Sequence, residues 1–388
     1  MKELIKETSA RFQQRFNTPP ESIFMSPGRI NIIGEHVDYN DGYVLPAAID
    51  KYICFAVSLT EDEKCTIVAK DLDDEYTFKI GDSLQPIEKM WANYILGVMH
   101  QYQEMKLPLK GFNIAFSSTI PVGAGLSSSA ALECGFAYAL NAMLNLGISK
   151  EQIALIGQKA EHTFAGVMCG IMDQFANVFG KEDKVIKLDC ITLEYDYHNA
   201  DFGKYSLFLI DSKVKHTHLT SGYNDRRKEC EQGLAILHEN FPEATTFRNC
   251  TKEQVEQVRE LLGETVYKRC HFVVGEIKRV LAAVDALEAG NFKELGRLMY
   301  ETHEGLSKEY EVSCVEIDFL IAAARKEEAS IGARMMGGGF GGCSINLVEK
   351  ASQDEIIARI SEAYKKEYNI EPKAYKVSIS EGTSEYKK

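Results

Sequence analysis

The chain contains 388 residues, of which 45% are apolar and 26% are charged, a composition typical of a globular protein with a substantial core. At about 100–200 residues per domain, this length predicts two domains. The formal net charge is −13, from 44 Lys and Arg against 57 Asp and Glu. This balance argues against a nucleic-acid-binding protein, because contacts to a phosphate backbone require clustered Lys and Arg. It does not exclude a small anionic ligand, since a helix N-terminus binds phosphate whatever the global charge.

The N-terminal segment and the cysteines indicate a soluble, cytoplasmic protein. Residues 1–16 carry a charge every few positions and lack the apolar region of a signal peptide. The most apolar long segment, residues 130–148, is interrupted by Glu133, Asn141 and Asn145, so we expect a buried helix rather than a membrane span. The ten cysteines are scattered without a CxxC pair, and we expect buried, reduced thiols. We expect no nucleic-acid, membrane or obligate protein partner.

The first half of the chain mixes strands and helices. An amphipathic helix over residues 3–16 leads into an apolar strand that ends near Ile33, and a polar loop separates this strand from a second apolar run, YVLPAAI. The elements predicted next are strands at residues 53–60, 66–69 and 112–117 and helices at residues 128–146 and 151–165.

The second half begins with a strand at residues 206–211 and continues with mostly helical patterns. These predict helices over residues 223–240, 252–262, 266–288, 291–300 and 315–328, before a closing strand, helix and strand. The change of pattern places a domain boundary near residue 190, which gives domains over residues 1–190 and 191–388. Strands and helices mixed in this way predict an α+β fold.

A glycine-rich turn precedes the helix predicted from residue 128. The segment PVGAGLSSSAALE contains small residues and then three serines, at Gly123, Ala124, Gly125, Ser127, Ser128 and Ser129. The small residues let the backbone approach a ligand closely, and free N–H groups at the positive end of a helix suit a polyphosphate. Serine is also a favoured N-cap, so an ordinary capped helix after a tight turn fits the same pattern. The segment alone does not decide between the two.

Two common nucleotide-binding motifs do not account for this chain. No GxxxxGK[ST] sequence occurs, which excludes a P-loop NTPase. A GxGxxG pattern occurs at Gly337, Gly339 and Gly342, but only 388 − 342 = 46 residues follow. That is too few to complete a dinucleotide-binding fold.

A polar loop at residues 26–48 places Glu35, His36, Asp38 and Asp41 between two apolar runs. A solvated loop is one interpretation. A metal site is a second, weaker one, because adjacent residues of an extended chain point apart. The third is a polyol site, in which carboxylates accept hydrogen bonds from sugar hydroxyls and an imidazole donates or accepts. Arg29, on the preceding strand, can pair with an acid or a phosphate.

Other polar residues stand in less decisive contexts. Asp173 lies among apolar and small residues just before a helix, where it is either a capping residue or a functional acid. Glu161 lies twelve residues earlier, on the helix that ends before Gly166. His216 and His218 resemble a metal-binding pair but lack a third ligand nearby, so we interpret them as structural.

Taken together, these segments resemble the galactokinases of the GHMP small-molecule kinase family. GRINIIGEHVDYNDGYVLP resembles the galactokinase signature, PVGAGLSSSAALE the family's ATP loop and MMGGGFGGCSINLV its third motif. Four further segments, WANYILGV, AEHTFAGVMCGIMDQF, RCHFVVGEIKRV and LSKEYEVSCVEID, occur in the matching order, so the resemblance covers almost the whole chain. It implies a two-domain GHMP kinase-like α+β fold with ATP and sugar bound in the interdomain cleft.

The resemblance also implies roles for individual residues in the transfer of the γ-phosphoryl group of ATP to the C1 hydroxyl of α-D-galactose. Asp173 matches the catalytic acid and Arg29 its charged neighbour. The matches to galactose contacts are Glu35, His36, Asp38, Gly170, Asp173 and Tyr223. The matches to ATP contacts are Gly123, Ala124, Gly125, Leu126, Ser127, Ser128, Ser129, Trp91 and Tyr94. Ser129 and Glu161 match the Mg²⁺ ligands, both being the hard oxygen donors that this cation requires.

Departures from the family pattern leave two alternatives. Val37 and Met336 stand where Thr is frequent, Gly222 where Glu is frequent and Gly338 where some members have Ala; none of these removes a charged catalytic group. One alternative is a related kinase that acts on N-acetylgalactosamine or arabinose. The other is a non-catalytic sensor of galactose and ATP, against which the intact SSSAA segment and Asp173 argue.

Overall fold

The structure, a computed structural model, describes residues 1–215 and 219–387 of the chain. His216 and His218 lie outside the described residues, so their interpretation as structural stays a prediction. The α-helices of the described part are α1 (Lys2–Phe16), α2 (Met90–Glu104), α3 (Ser128–Leu144), α4 (Lys150–Ala160), α5 (Met172–Phe179), α6 (Leu219–Asn240), α7 (Lys252–Gln257), α8 (Arg259–Glu288), α9 (Phe292–Lys308), α10 (Val315–Arg325) and α11 (Gln353–Tyr368).

The strands alternate with these helices in the first half and flank them in the second. They are β1 (Ser22–Asn31), β2 (Tyr43–Val44), β3 (Pro46–Leu59), β4 (Lys64–Ala69), β5 (Asp74–Lys79), β6 (Phe112–Ser118), β7 (Lys184–Asp189), β8 (Tyr195–Asn199), β9 (Tyr205–Lys215), β10 (Ser330–Met336), β11 (Gly341–Glu349), β12 (Lys373–Lys376) and β13 (Ser384–Glu385). The mixture confirms the predicted α+β class.

The larger sheet has the strand order β13-β1-β3-β6-β4-β5, and all its neighbours are antiparallel except β4 and β6. Helix α1 covers one face of this sheet, where Phe12 is fully buried against Ala56, Val68 and Ala115. Helices α3 and α5 cover the other face. Burial on both faces explains why most residues of β1 and β3 are buried rather than alternating between buried and exposed.

The second half is built around a sheet with the order β10-β11-β9-β12, against which α9 and α10 pack. A third sheet, β2-β7-β8, joins the two halves. The pairing of β7 with β8 spans residue 190, and β13 returns to pair with β1 of the first sheet. The division into residues 1–190 and 191–388 therefore stays a prediction, and the structure shows chain connections crossing it in both directions.

Local sequence explains the starts of two helices, and one predicted helix is corrected. Ser149 with Gln152, and Thr251 with Gln254, form capping boxes at the starts of α4 and α7. The helix predicted over residues 252–262 is divided, because α7 ends at Gln257 and α8 begins at Arg259. The break predicted between residues 262 and 266 is present at Gly263, which interrupts α8 with a positive φ of 68° that glycine tolerates.

All ten cysteines lie in the described part of the chain, and all are free thiols, seven of them buried. The seven buried thiols agree with the expectation of buried cysteines, whereas Cys169, Cys190 and Cys314 are partly exposed. Among the helices described here, none is long and apolar enough to cross a membrane.

Candidate active site

A cleft of about 470 Å³ lies where the two halves of the chain meet. It is lined from the first half by the polar loop after β1, the glycine-rich turn before α3 and the segment before α5. The second half contributes the start of α6 and the glycine-rich loop between β10 and β11. The predicted site residues on its wall are Arg29, Glu35, His36, Asp38, Tyr94, Gly123, Gly125, Leu126, Ser127, Ser128, Ser129, Glu161, Gly170, Asp173 and Tyr223.

The glycine-rich turn before α3 is held against the end of β1. Gly123 and Gly125 adopt φ of 75° and 73°, the left-handed region that glycine occupies without strain. The Arg29 guanidinium donates to the carbonyl of Gly125 at 2.6 Å, and the backbone N–H of Arg29 donates to Leu126. The turn is therefore fixed with the N-terminus of α3 open to the cleft.

Ser127 is the N-cap residue of α3, but its side chain does not cap the helix. Its φ is 57°, and no capping hydrogen bond is made. The hydroxyl instead donates to Asp173 Oδ2 across the cleft. The first N–H groups of α3 thus keep no partner from this side chain, which suits an anionic ligand at the helix end.

Asp173 and Arg29 form a bidentate pair at the centre of the cleft. Arg29 Nε donates to Oδ1 at 2.8 Å and Nη2 to Oδ2 at 3.0 Å. The Arg29 side chain is 4% exposed and that of Asp173 28% exposed, so the acid faces the cleft and the cation lies behind it. Asp173 lies in the first turn of α5 and makes no capping bond, which contradicts its interpretation as a cap.

The polar loop after β1 presents two carboxylates to the cleft. Glu35 is 2% exposed, and its Oε1 accepts from Arg334 Nη1 and from the N–H of Gly337, both at 3.0 Å. Burial, with repulsion from Asp173 and Glu35, raises the pKa of Asp38 to about 7. The contacts of Glu35 with Arg334 and Gly337 join the loop to the glycine-rich segment of the second half.

His36 lies in the same loop in a left-handed conformation, with φ of 60°. Its Nδ1 shares a 2.7 Å hydrogen bond with the Tyr39 hydroxyl, and the rings of Tyr223 and Tyr310 lie 5.3 Å and 4.9 Å from its own. Burial, assisted by the positive charge of Arg226, lowers the pKa of His36 to about 3, so the ring is neutral. Its Nε2 is buried without a hydrogen-bond partner of good geometry among the described residues.

Ser129 and Glu161 line the same cleft as Asp173. Glu161 opens a single π-helical turn (Glu161–Ala165) that continues α4. Glu133, one turn after Ser129 on α3, is fully buried beside them. Burial raises the pKa of both glutamates, assisted by repulsion from Glu161 in the case of Glu133 and by repulsion from Asp173 in the case of Glu161.

Comparison with known proteins identifies the chain. A galactokinase of Thermotoga maritima is 42% identical over 359 residues, which are 92% of this chain and 98% of that protein. The chain belongs to the galactokinase family. A galactokinase of Glaesserella parasuis is 38% identical over 97% of this chain and 98% of its own length. Family models agree: "Galactokinase galactose-binding signature" matches residues 10–59, and the N- and C-terminal models of the GHMP kinases match residues 93–181 and 283–366.

Solved structures confirm the predicted GHMP kinase fold. The galactokinase of Lactococcus lactis, solved in complex with galactose, has a TM-score of 0.93 at 31% identity and covers 98% of this chain and 99% of its own. The mevalonate kinase of Methanococcus jannaschii has a TM-score of 0.65 at 18% identity, over 92% of this chain and 98% of its own, and so shares the fold. The family resemblance read from the sequence is confirmed by these matches.

Two predicted ATP contacts of this galactokinase-family chain do not line the cleft. Ala124 is fully buried beneath the glycine-rich turn, close to Gly342. Trp91 lies at the start of α2, where its indole N–H donates to Asp74 at 2.9 Å and its ring packs on Phe116. Its assignment beside the adenine stays a prediction.

Sequence reasoning missed two buried polar residues behind the cleft, Glu133 and Gln174. Glu133 is visible in the sequence as a charge that interrupts an apolar helix, and Gln174 directly follows Asp173. Neither pattern indicates a contact between them, because they lie 41 residues apart. Only the packing of α5 on α3 and α4 brings them together.

Proposed function

We propose that this chain is an ATP-dependent galactokinase, which transfers the γ-phosphoryl group of ATP to the C1 hydroxyl of α-D-galactose and releases ADP. The observation that carries the proposal is the Arg29–Asp173 pair, which also receives the hydroxyl of Ser127 from the glycine-rich turn. The Asp173 carboxylate thereby contacts both β1, which leads into the polar loop, and the glycine-rich turn before α3. Family membership and the named galactokinase relatives support the same reaction.

The donor side of the cleft suits a nucleoside triphosphate. The turn at Gly123 and Gly125 brings backbone N–H groups and the N-terminus of α3 to the cleft wall. Ser128 adds a hydroxyl donor on the same wall. We assign the β- and γ-phosphates to this end of the cleft, because the helix dipole favours negative charge there.

The residues on the donor side also fit a magnesium ion. The Ser129 hydroxyl and the Glu161 carboxylate are hard oxygen donors, and Mg²⁺ is commonly held by one or two protein oxygens together with substrate phosphates and water. The described residues hold no cluster of three His, Cys, Asp or Glu arranged to bind a metal by themselves. Bound between these side chains and ATP, the ion would neutralise charge on the phosphates.

The acceptor side suits a sugar. Glu35 and Asp38 present carboxylate oxygens, and neutral His36 and Tyr223 present groups that donate or accept. An aromatic cluster beneath them, formed by Tyr39, Tyr223 and Tyr310, keeps the loop rigid. We assign the galactose hydroxyls to these groups, with C1 directed at Asp173.

In this arrangement Asp173 accepts the proton of the C1 hydroxyl, while Arg29 holds the carboxylate in place and offsets its charge. Help from a general base contributes about 10²–10⁴-fold, or roughly 2.7–5.4 kcal/mol. Holding the reactants in line can contribute about 7–11 kcal/mol, and a loose phosphoryl-transfer transition state needs little activation of the nucleophile. Orientation therefore contributes more than proton abstraction.

The reaction is tested by measuring ADP release with magnesium-ATP and galactose, glucose, N-acetylgalactosamine or arabinose. NMR and mass analysis of the product locate the phosphate. Turnover that favours galactose and yields the 1-phosphate supports the proposal. A preference for another of these sugars would contradict the assigned substrate, and binding of galactose and ATP without turnover would contradict the assigned reaction.

A further inference from the structure

Gln174 connects the two buried glutamates behind the cleft. It is fully buried on α5, and its Nε2 lies 3.0 Å from Glu161 Oε2 and 3.4 Å from Glu133 Oε2. An amide nitrogen carries two hydrogens, so one group serves both acids. The reverse orientation would direct the amide oxygen at two carboxylates, and repulsion disfavours it.

The contacts of Glu161 leave one of its oxygens for another ligand. Both Gln174 and the thiol of Cys169, at 3.8 Å, approach Oε2. The glutamate also lines the cleft beside Ser129. The amide of Gln174 therefore restrains the rotation of the carboxylate by holding Oε2.

Glu133 is the second carboxyl group that accepts from the Gln174 amide. It is fully buried and lies four residues after Ser129, on the same side of α3. Its Oε1 and the Oε1 of Gln174 are buried without a hydrogen-bond partner among the described residues. Burying such groups is costly unless something compensates for it, and a packed apolar pair would avoid the cost.

We propose that Gln174 and Glu133 are positioning residues for the divalent cation that Ser129 and Glu161 hold. This inference rests on the proposed function, because it assumes that cation site. Gln174 fixes the orientation of the Glu161 carboxylate, and Glu133 holds the amide in place by accepting its second hydrogen. Outer partners of this kind typically change metal affinity by about 10–100-fold when removed.

The test measures binding of Mn²⁺ to the full-length protein by electron paramagnetic resonance, with a non-hydrolysable ATP analogue present. Gln174→Met keeps the size of the side chain and removes the amide, and it should weaken Mn²⁺ binding by about 10–100-fold. Affinity for galactose alone should not change, which separates the effect from general damage. Asn177→Leu is the matched control, since Asn177 is a buried amide on the same helix that binds Ser26 and Pro27 instead.

Two further variants make every outcome decisive. Glu161→Gln tests the cation site itself: if it leaves Mn²⁺ binding unchanged, the assumed site is wrong. If Glu161→Gln weakens binding while a folded Gln174→Met retains the affinity of the unaltered protein, the positioning role is overturned and the proposed function stands. Should Gln174→Met fail to fold, Glu133→Met decides in its place, because it keeps the size of the side chain and removes the oxygen that accepts from the Gln174 amide.

Discussion

Replacing Asp173 with asparagine tests the central pair of the cleft most directly. The change keeps the size of the side chain but removes the charge that Arg29 binds through both carboxylate oxygens. Asparagine cannot accept the proton of the sugar hydroxyl, so turnover should fall by about 10²–10⁴-fold, or roughly 2.7–5.4 kcal/mol in the activation barrier. The KM for galactose should change much less, because the other sugar contacts remain.

The same substitution also carries a cost in stability. Removing one partner of a buried ion pair costs about 3–5 kcal/mol, because it leaves the other charge unpaired. Here the loss should be smaller, since 28% of the Asp173 side chain is exposed to the cleft, while Arg29 is 4% exposed. Denaturant unfolding measures this effect separately from turnover.

A matched control lies outside the cleft. Asp189 pairs with both terminal nitrogens of Arg248, each at 2.6 Å, and neither residue lines the cleft. Asp189→Asn should lower stability by a similar amount and leave kcat unchanged. The assay is steady-state ADP release at saturating galactose and ATP. If Asp173→Asn retained turnover within about tenfold of the unaltered protein, the assignment of Asp173 as the base would be wrong.

Three other predictions address the polar loop after β1 and its contact with Gly170. Glu35→Gln should remove about 1.5–3 kcal/mol of galactose binding, roughly a 10–150-fold rise in Kd by calorimetry, since a hydrogen bond to a charged group is lost; an unchanged Kd would contradict the sugar contact. Gly170→Ala should also weaken galactose binding, because the added Cβ would lie 2.1 Å from the Asp38 carboxylate; tight binding by this variant would show that Asp38 is not needed in its present place. The pKa of His36 is lowered to about 3 in the folded protein. Below about pH 6.5 the unfolded chain therefore binds a proton at this residue that the folded chain does not bind. The stability present above about pH 6.5 is lost as the pH falls toward 3. Between pH 7 and 5 this residue alone should lower the free energy of unfolding by about 2 kcal/mol. His36→Asn should remove this pH dependence, and asparagine tolerates the left-handed backbone at this position. If denaturant unfolding of the variant and of the unaltered protein showed the same pH dependence, the prediction would be wrong.

Elements with a clear periodicity could be predicted from the sequence, and others could not. Helix α1 has an apolar stripe and a polar face, so its bounds were predicted to within one residue. Helix α2 was not assigned, because buried residues surround most of its circumference and leave no stripe to recognise. Strands β7 and β8 are short and partly exposed, and a short run of this kind gives little periodic signal.

The candidate site shows a similar division. The residues that line the cleft were found through their resemblance to family motifs, and single motifs left several interpretations open. Trp91 was included on the same basis, although its indole is bound to Asp74, a contact that the sequence does not show. Glu133 and Gln174 could not be placed, because their relation depends on how three helices pack and not on any local pattern.

The pairing of β13 with β1 has a consequence for biosynthesis. Ser22 and Glu385, which hydrogen bond across these two strands, are separated by 363 residues. A ribosome adding about 5–20 residues per second needs roughly 20–70 s to make the intervening chain. During that interval the outer edge of β1 has no partner strand, and an unpaired edge is a template for association with another chain. Slower synthesis should therefore lengthen the exposure of this edge and lower the soluble yield, unless a chaperone covers it until the last strand arrives.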